Sequence, residues 1–501
     1  IFHFKNNTMK NNKNIFSTIL AFVFIATGIY SCSDKFLDEV ESYNIDSEGY
    51  FNSEDDYYMA LIGAYDLLQA SYVNVLLGEI ASDNTLCGGE SATDVIGFQQ
   101  IDDMTHTQVN NNLRDVWNWM FAGVNRANYI LEFKDKIEFE GKEVILGEAS
   151  FLRAYYNFEL LKWFGGIPLK VDQRFAPGDE LSIPRSTPAE VYALIESDLK
   201  YAVNNLEYVA PQTGRVTKGA AEALLGKAYL YQNKFAEAAT VLDNVINNGP
   251  YDLAIDYATI FENDGENGVE SVFEVQYTDA EGAGFDCLQC SEGNVAVGFN
   301  SIRNHTGPTY DSGYSFNVPT QATVEVFEEG DSRKEASILD IDAWAVSTGA
   351  TFGVGYEHTG YYNRKYIARK GDLNTGDQNL TNPNNYRSIR FADVLLMAAE
   401  ANNRGNVDDA KALAYLNRVR ERAFGDSTHN VTATGSALTT AIYHERRVEL
   451  VGEGHRFFDL VRTGEAASSI EGFVAGKHEL FPIPIEEIQF SNGNWAQNPN
   501  Y

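Results

Sequence analysis

Basic residues are scarce. The 501-residue chain carries 38 Lys and Arg against 71 Asp and Glu, a formal net charge of −33. Nucleic acid and anionic lipid head groups are held by basic faces, so neither is an expected partner. A neutral ligand, a cation or a basic protein remains compatible. Cysteine is scarcer still, with four residues in all. Cys287 and Cys290 share a Cys-Leu-Gln-Cys spacing, but no second pair completes a zinc site. A loop disulfide or two free thiols is the reading, with Cys87 left over. Catalytic signatures are missing as well: there is no Gly-x-Ser-x-Gly elbow, no phosphate loop and no dinucleotide fingerprint. His444-Glu445-Arg446-Arg447 opens like a zincin helix, yet Val448 stands where the second histidine ligand belongs, so zinc has no two-point clamp. Acidic neighbours such as Asp102-Asp103 and Glu486-Glu487 are adjacent in sequence, whereas glycosidase carboxyls face each other across roughly 5–10 Å. The chain reads as a non-enzyme that needs no metal and no cofactor.

Apolar runs are short everywhere except near the start. Ile15–Tyr30 falls below the ~20 residues that span a bilayer. It follows Lys10 and Lys13 and precedes Ser31-Cys32, the layout of an export signal. Met9 reads as the natural start, with residues 1–8 upstream of it. A cysteine directly after the run resembles a lipoprotein signal, in which Cys32 is acylated, although Ile29 and Tyr30 depart from the usual box. Residues 1–31 are therefore expected to be a signal peptide, and 32–52 a polar, lipid-anchored tether.

What the chain does contain is helical repeat. Lys218–Pro250 reads as two amphipathic helices joined by a tight turn. Small residues at Ala223, Gly226, Ala238 and Ala239 allow close approach, and Leu225, Tyr229, Phe235 and Leu242 fill the space between. Leu225-Gly226, Tyr229, Ala238 and Pro250 fit the roughly 34-residue tetratricopeptide pattern. Such a hairpin cannot bury its apolar face alone, so further hairpins must stack on it. Helical spacing recurs over Glu54–Gln69, Asn111–Phe133 and Gly141–Phe164. Thr187-Pro188-Ala189-Glu190 caps a further helix reaching Leu206. Arg390–Asn402 and Val407–Ala423 form a second hairpin, in which Ala398 and Ala410 repeat the separation of Gly226 and Ala238. Ser436–Gly452 is one more helix. The fold class is thus mostly α: helical hairpins over 53–262 and 386–470, and a strap over 471–501.

Between the blocks, 263–385 is rich in Gly, Asn, Asp, Thr and Tyr, with short alternating runs such as Ser271–Tyr277 that suggest brief strands. A loop segment of that length is usually functional. Gly78–Ile101 reads as a second loop, with Phe98 its one large aromatic. The rings Phe98, Tyr310, Tyr314, Phe316, Trp344, Tyr356, Tyr361 and Tyr362 lie in these loops. Some of them are expected to pack beneath the loops, and two or three to offer flat faces to the C–H side of a sugar. Along Tyr443–Arg462 the signs alternate through Glu445, Arg446, Glu449, Glu453, Arg456, Asp459 and Arg462, the pattern of an interior ion-pair network that locks helices together.

An ordered series of motifs resembles the SusD/RagB family. It runs through Glu148–Tyr155 with Phe164–Leu169, Lys218–Ala221, Arg390–Leu396, Leu416–Arg420, Glu445–Leu450, Gly454–Leu460, Phe481–Pro484 and Gln497–Pro499. The resemblance implies a surface lipoprotein of Gram-negative outer membranes. Such proteins capture glycan, or occasionally another nutrient such as a peptide, without cleaving it, and form the lid of a SusC-like TonB-dependent barrel. It further implies a sugar site drawn from Ser82–Ile101 and roughly Gly298–Tyr362. Tryptophans used by some starch binders in the first loop are absent here, which speaks against starch. By region, the expected stacking rings are Phe98, Tyr310, Tyr314 and Trp344, and the expected hydroxyl partners are Asp83, Asn84, Asn300 and Arg303.

Overall fold

The structure, a computed structural model, describes residues 49–282, 284–371, 375–376 and 379–501. Cys32, the apolar run before it and most of the expected tether lie outside the described residues. The chain divides into an N-terminal unit ending at Asp56 and a body, Tyr57–Tyr501. In the first unit the amides of Asn52 and Ser53 donate to Asp56 Oδ2 at 2.8 and 2.9 Å, opening the helix Glu54–Asp66.

The body is a stack of antiparallel helices. Asn111–Glu132, Lys142–Phe164, Pro188–Asn205, Lys218–Tyr231 and Phe235–Asn248 pack each on the next. Phe235–Asn248 then packs on Phe391–Arg404, which pairs with Asp409–Phe424 and Gly435–Glu449. The second block therefore continues the first, as stacked hairpins must if each is to cover its neighbour's apolar face. Local chemistry sets the boundaries. Thr187 and Glu190 form a reciprocal capping box with Pro188 at the first helical position, and Asn110 accepts from the amides of Asn112 and Leu113. The two hairpins turn alike: Asn233 and Asn406 each sit at positive φ (57° and 51°) just after the first helix, a conformation asparagine tolerates better than most residues. At Gly226 a Cβ would meet Leu242 at 2.5 Å, so glycine is what brings these two helices together.

Two helices of the first block do not appear in the sequence pattern. Gly78–Ile101, expected as loop, instead contains the end of Tyr72–Ile80, the two-residue strand Thr85–Leu86 and the helix Ile96–Asp102. Every residue of Tyr72–Ile80 is buried, so it has no polar face and no amphipathic period to read. The insertion likewise carries short helices, among them Val295–Asn300 and Ile341–Thr348, the latter holding Trp344.

The insertion is fixed to the stack in two ways. Strands Ser271–Val275 and Tyr386–Arg390 pair antiparallel at its neck, and Thr85–Leu86 pairs with Val318–Pro319. The anticipated ion-pair network runs through the interior, most of it buried. Arg333, from the insertion, reaches Asp331 (2.7 Å), Glu445 (2.6 Å) and Glu449 (2.9 Å). Lys365, also from the insertion, meets Glu453 at 2.7 Å. Arg390 joins Glu449 and Glu453 at 3.0 and 2.8 Å, and Arg446 joins Asp393 and Asp459. Burial pulls the Lys365 ammonium down to about 8, with Glu453 opposing that shift.

His455 lies in the same interior. Burial, then the Lys227 ammonium, holds its imidazole down at about 3, against the opposing pull of Asp393 and Glu453. It is neutral in the fold, whereas in the unfolded chain it takes up a proton below about 6.5. Its contribution to stability is therefore lost as pH falls from about 6.5 toward 3. Glu79 and Asp102, held up to about 7 by burial, act in the opposite sense, so the informative quantity is a difference between proteins. Between pH 7.5 and 5.5 a His455→Gln variant should lose less Tm than the parent, as calorimetric melts would show; parallel losses would rule out His455 as a source of the pH dependence.

Candidate functional site

A ladder of rings runs from the interior to the surface where three loops meet. Phe98, on Ile96–Asp102, stands edge-on to Phe299 and Phe316, each at 5.4 Å. Phe299 touches Tyr314 at 5.7 Å, and Tyr314 touches Phe285 at 5.7 Å. Exposure rises along the ladder: Phe98 is 5% exposed, Tyr314 is half-buried and Phe285 is 53% exposed. The inner rings are a core that fixes the outer two.

Polar groups border the outer rings. Arg303 Nη2 donates to the Tyr314 carbonyl at 2.9 Å and lies 3.5 Å from Asp94 Oδ2, while its Nε donates to Ser315 Oγ at 3.2 Å. Asn379 Nδ2 donates to the Tyr314 hydroxyl at 3.3 Å. Asp94 also accepts from the Glu90 amide at 2.8 Å, and the Tyr356 amide donates to the Gly89 carbonyl at 2.9 Å. These contacts unite residues 88–94, 303–316 and 353–356. Glycine makes the junction possible, because a Cβ at Gly88 would lie 2.1 Å from the Ser315 carbonyl oxygen. Phe285 comes from a fourth segment, closed two residues later by the Cys287–Cys290 disulfide. The face combines one open and one half-buried ring with a guanidinium, a carboxylate and an amide, the mixture suited to an uncharged, hydroxyl-rich ligand: rings take its C–H faces and the polar groups its hydroxyls. Among the described residues no group of three His, Cys, Asp or Glu is placed to hold a metal ion.

The expected residues divide sharply. Tyr314 and Arg303 are on the face. Phe98 is its buried footing. Tyr310 is 1% exposed, packed in a core with Ile302, Leu339 and Tyr362, and Trp344 covers that core from the side, 5.2 Å from Tyr310. Asn300 and Asn84 are fully buried. Asn84 accepts from Arg447 Nε at 2.9 Å, and Asp83 takes both Arg456 (2.7 Å) and Arg447 (3.3 Å). Phe98, Tyr310, Asn84 and Asn300 thus offer no open surface, and Asp83 serves as a tie between the first loop and the C-terminal helices. A loop 20 residues long has an inside as well as an outside, and these residues fall on the inside. Phe285, Asp94 and Asn379 do not stand out in the sequence. Only Phe285 carries a signal there, as a large ring beside a Cys-x-x-Cys that pins its segment.

A tetratricopeptide-like helical stack is the architecture of SusD-like proteins. Comparison with known proteins agrees. The "SusD family" model matches residues 340–479, and a model described as "Starch-binding associating with outer membrane" matches 35–230. The SusD-like protein P2 of Formosa agariphila is 26% identical, over 96% of this chain and 99% of its own. Among solved structures, a laminarin-binding SusD-like protein superposes with a TM-score of 0.83 at 34% identity, covering 90% of this chain and all of its own. Surface glycan-binding protein A of Bacteroides thetaiotaomicron, in complex with laminarihexaose, gives 0.78 at 26% identity over 89% of this chain and all of its own. The chain belongs to the SusD family.

Proposed function

We propose that the protein captures a neutral oligosaccharide on the Phe285–Tyr314 face and hands it to a SusC-like TonB-dependent barrel, while acylated Cys32 tethers it to the outer membrane. The observation that carries this reading is the graded ring ladder, rigid at its inner end and open at Phe285. The names of the laminarin and laminarihexaose relatives favour a β-glucan as ligand. The cycle is capture and release, with no bond made or broken: Arg303 and Asp94 neutralise each other and hold the loops, and the outer rings supply the contact area that water cannot match. Isothermal calorimetry with laminarihexaose and maltohexaose tests the reading. Saturable binding of the first, stronger than that of the second, is expected; no binding of either would leave only the barrel-lid role. Gly88→Ala, which drives a Cβ into the Ser315 carbonyl, should weaken laminarihexaose binding by about tenfold, roughly 1.4 kcal/mol, through displacement of the 88–94 loop.

A further inference from the structure

A concave site elsewhere on the body shares no residue with the loop face. Trp117 and Phe121 of the helix Asn111–Glu132, Phe175 of the following loop, and Phe490 and Trp495 of the C-terminal strap wall a cavity of about 520 Å³. Four of the rings form a continuous set: Trp117–Phe121 at 4.7 Å, Phe121–Phe175 at 6.0 Å and Trp117–Trp495 at 6.2 Å. Asp179, Glu180 and Glu487 add three carboxylates to a lining that also includes the amides of Asn118 and Asn125 and that among the described residues contains no Lys, Arg or His. Asp179 is compensated by Lys170 at 2.6 Å. Glu180 accepts from the Gly178 amide, at 2.7 Å. The Glu487 carboxyl is held above its usual range by burial, against a hydrogen bond from Trp117, with Glu486 and Glu180 adding like charge.

These surroundings select for charge. An anion is repelled, and an uncharged apolar group would shield two carboxylates from water while offering them no counter-charge. A cation gains from the ring faces and from both carboxylates, and a planar guanidinium can stack and pair at the same time. The lip supplies the second argument. Phe490, which lines the cavity, stands 67% exposed, an apolar edge of the kind that meets another macromolecule, and the volume is enough for one anchoring side chain.

We propose that this cavity is a docking pocket for an arginine side chain of a partner polypeptide, its guanidinium held between the Phe121 and Phe175 rings, which buried Trp117 backs, and the carboxylates of Glu180 and Glu487. The inference is independent of the glycan reading. The test titrates the peptide acetyl-Leu-Arg-Leu-amide against its citrulline counterpart, of equal shape and no charge, and against free agmatine, following tryptophan fluorescence and calorimetry. The arginine peptide should bind at least tenfold more tightly than the citrulline peptide and than agmatine. Glu487→Gln and Phe490→Ala should each weaken it at least fivefold, with melting temperature and oligosaccharide binding unchanged. Equal binding of the two peptides would reduce the site to an apolar pocket, and agmatine matching the peptide would make it a small-cation site. Absence of saturable binding, or indifference to both substitutions, would remove it altogether. Each of these results overturns the proposal.

Discussion

Glu449→Ala is expected to destabilise the protein by about 3–5 kcal/mol, the cost of leaving buried charge uncompensated. Glu449 is fully buried and receives Arg333 (2.9 Å), Arg390 (3.0 Å) and Arg422 (2.6 Å). These three arginines belong to the insertion, the neck strand and a helix of the second block, so one carboxylate joins all three parts. Burial alone would raise its proton affinity, but the guanidinium groups of Arg422, Arg390 and Arg333 together outweigh burial and hold the carboxyl well below the ordinary range. A depressed carboxyl contributes its stability at pH values above its unfolded pKa, about 4, and loses it as pH falls further. The loss in Glu449→Ala should therefore be greatest near neutrality and shrink below pH 4, as urea titrations at several pH values would reveal. The exposed pair Lys200–Glu196, at 3.2 Å, is the contrast: Lys200→Ala should change stability by less than about 1 kcal/mol. Equal effects at the two sites would refute the view that buried pairing ties the insertion to the stack.

The second large effect concerns the rings. Tyr314→Ala should weaken oligosaccharide binding at least tenfold, about 1.4 kcal/mol or more, because it removes both a stacking surface and the contact that orients Phe285. Phe285→Ala should cost about fivefold and leave the melting temperature unchanged, since its ring is the exposed end of the ladder. Phe98→Ala, by contrast, opens a cavity under the face and should lower stability by about 3–5 kcal/mol, so its effect on binding would be indirect. Calorimetric affinities and melts of the three variants separate these roles. Parent-like affinity in both Tyr314→Ala and Phe285→Ala would mean that the sugar lies elsewhere.

Much of the scaffold was legible because its signals are local. Thr187-Pro188-Ala189-Glu190 carries its own capping box, and the small residues at Gly226 and Ala238 mark a close helix pair wherever they fall. The charge alternation from Glu445 to Arg462 announced ion pairs correctly, although their partners Arg333 and Lys365 lie over 80 residues upstream, beyond any local pattern. Tyr72–Ile80 went unread because burial on every side erases periodicity. The candidate site was legible only to the level of the loop. Whether a loop aromatic faces out, as Phe285 does, or in, as Tyr310 does, depends on which distant segments cover it. Asp83 and Asn84 show the same limit for polar residues: they look like hydroxyl readers until Arg447 and Arg456, more than 360 residues away, are seen to occupy them.

Amide hydrogen exchange with and without the oligosaccharide locates the ligand without altering a residue. Binding at the loop face should slow exchange in 88–95, 284–290, 303–316 and 353–357, and leave the helix Asn111–Glu132 and the strap unchanged. Protection confined to that helix, residues 168–180 and 485–495, with the four loops unaffected, would place capture in the aromatic cavity of the scaffold and contradict capture at the Phe285–Tyr314 face.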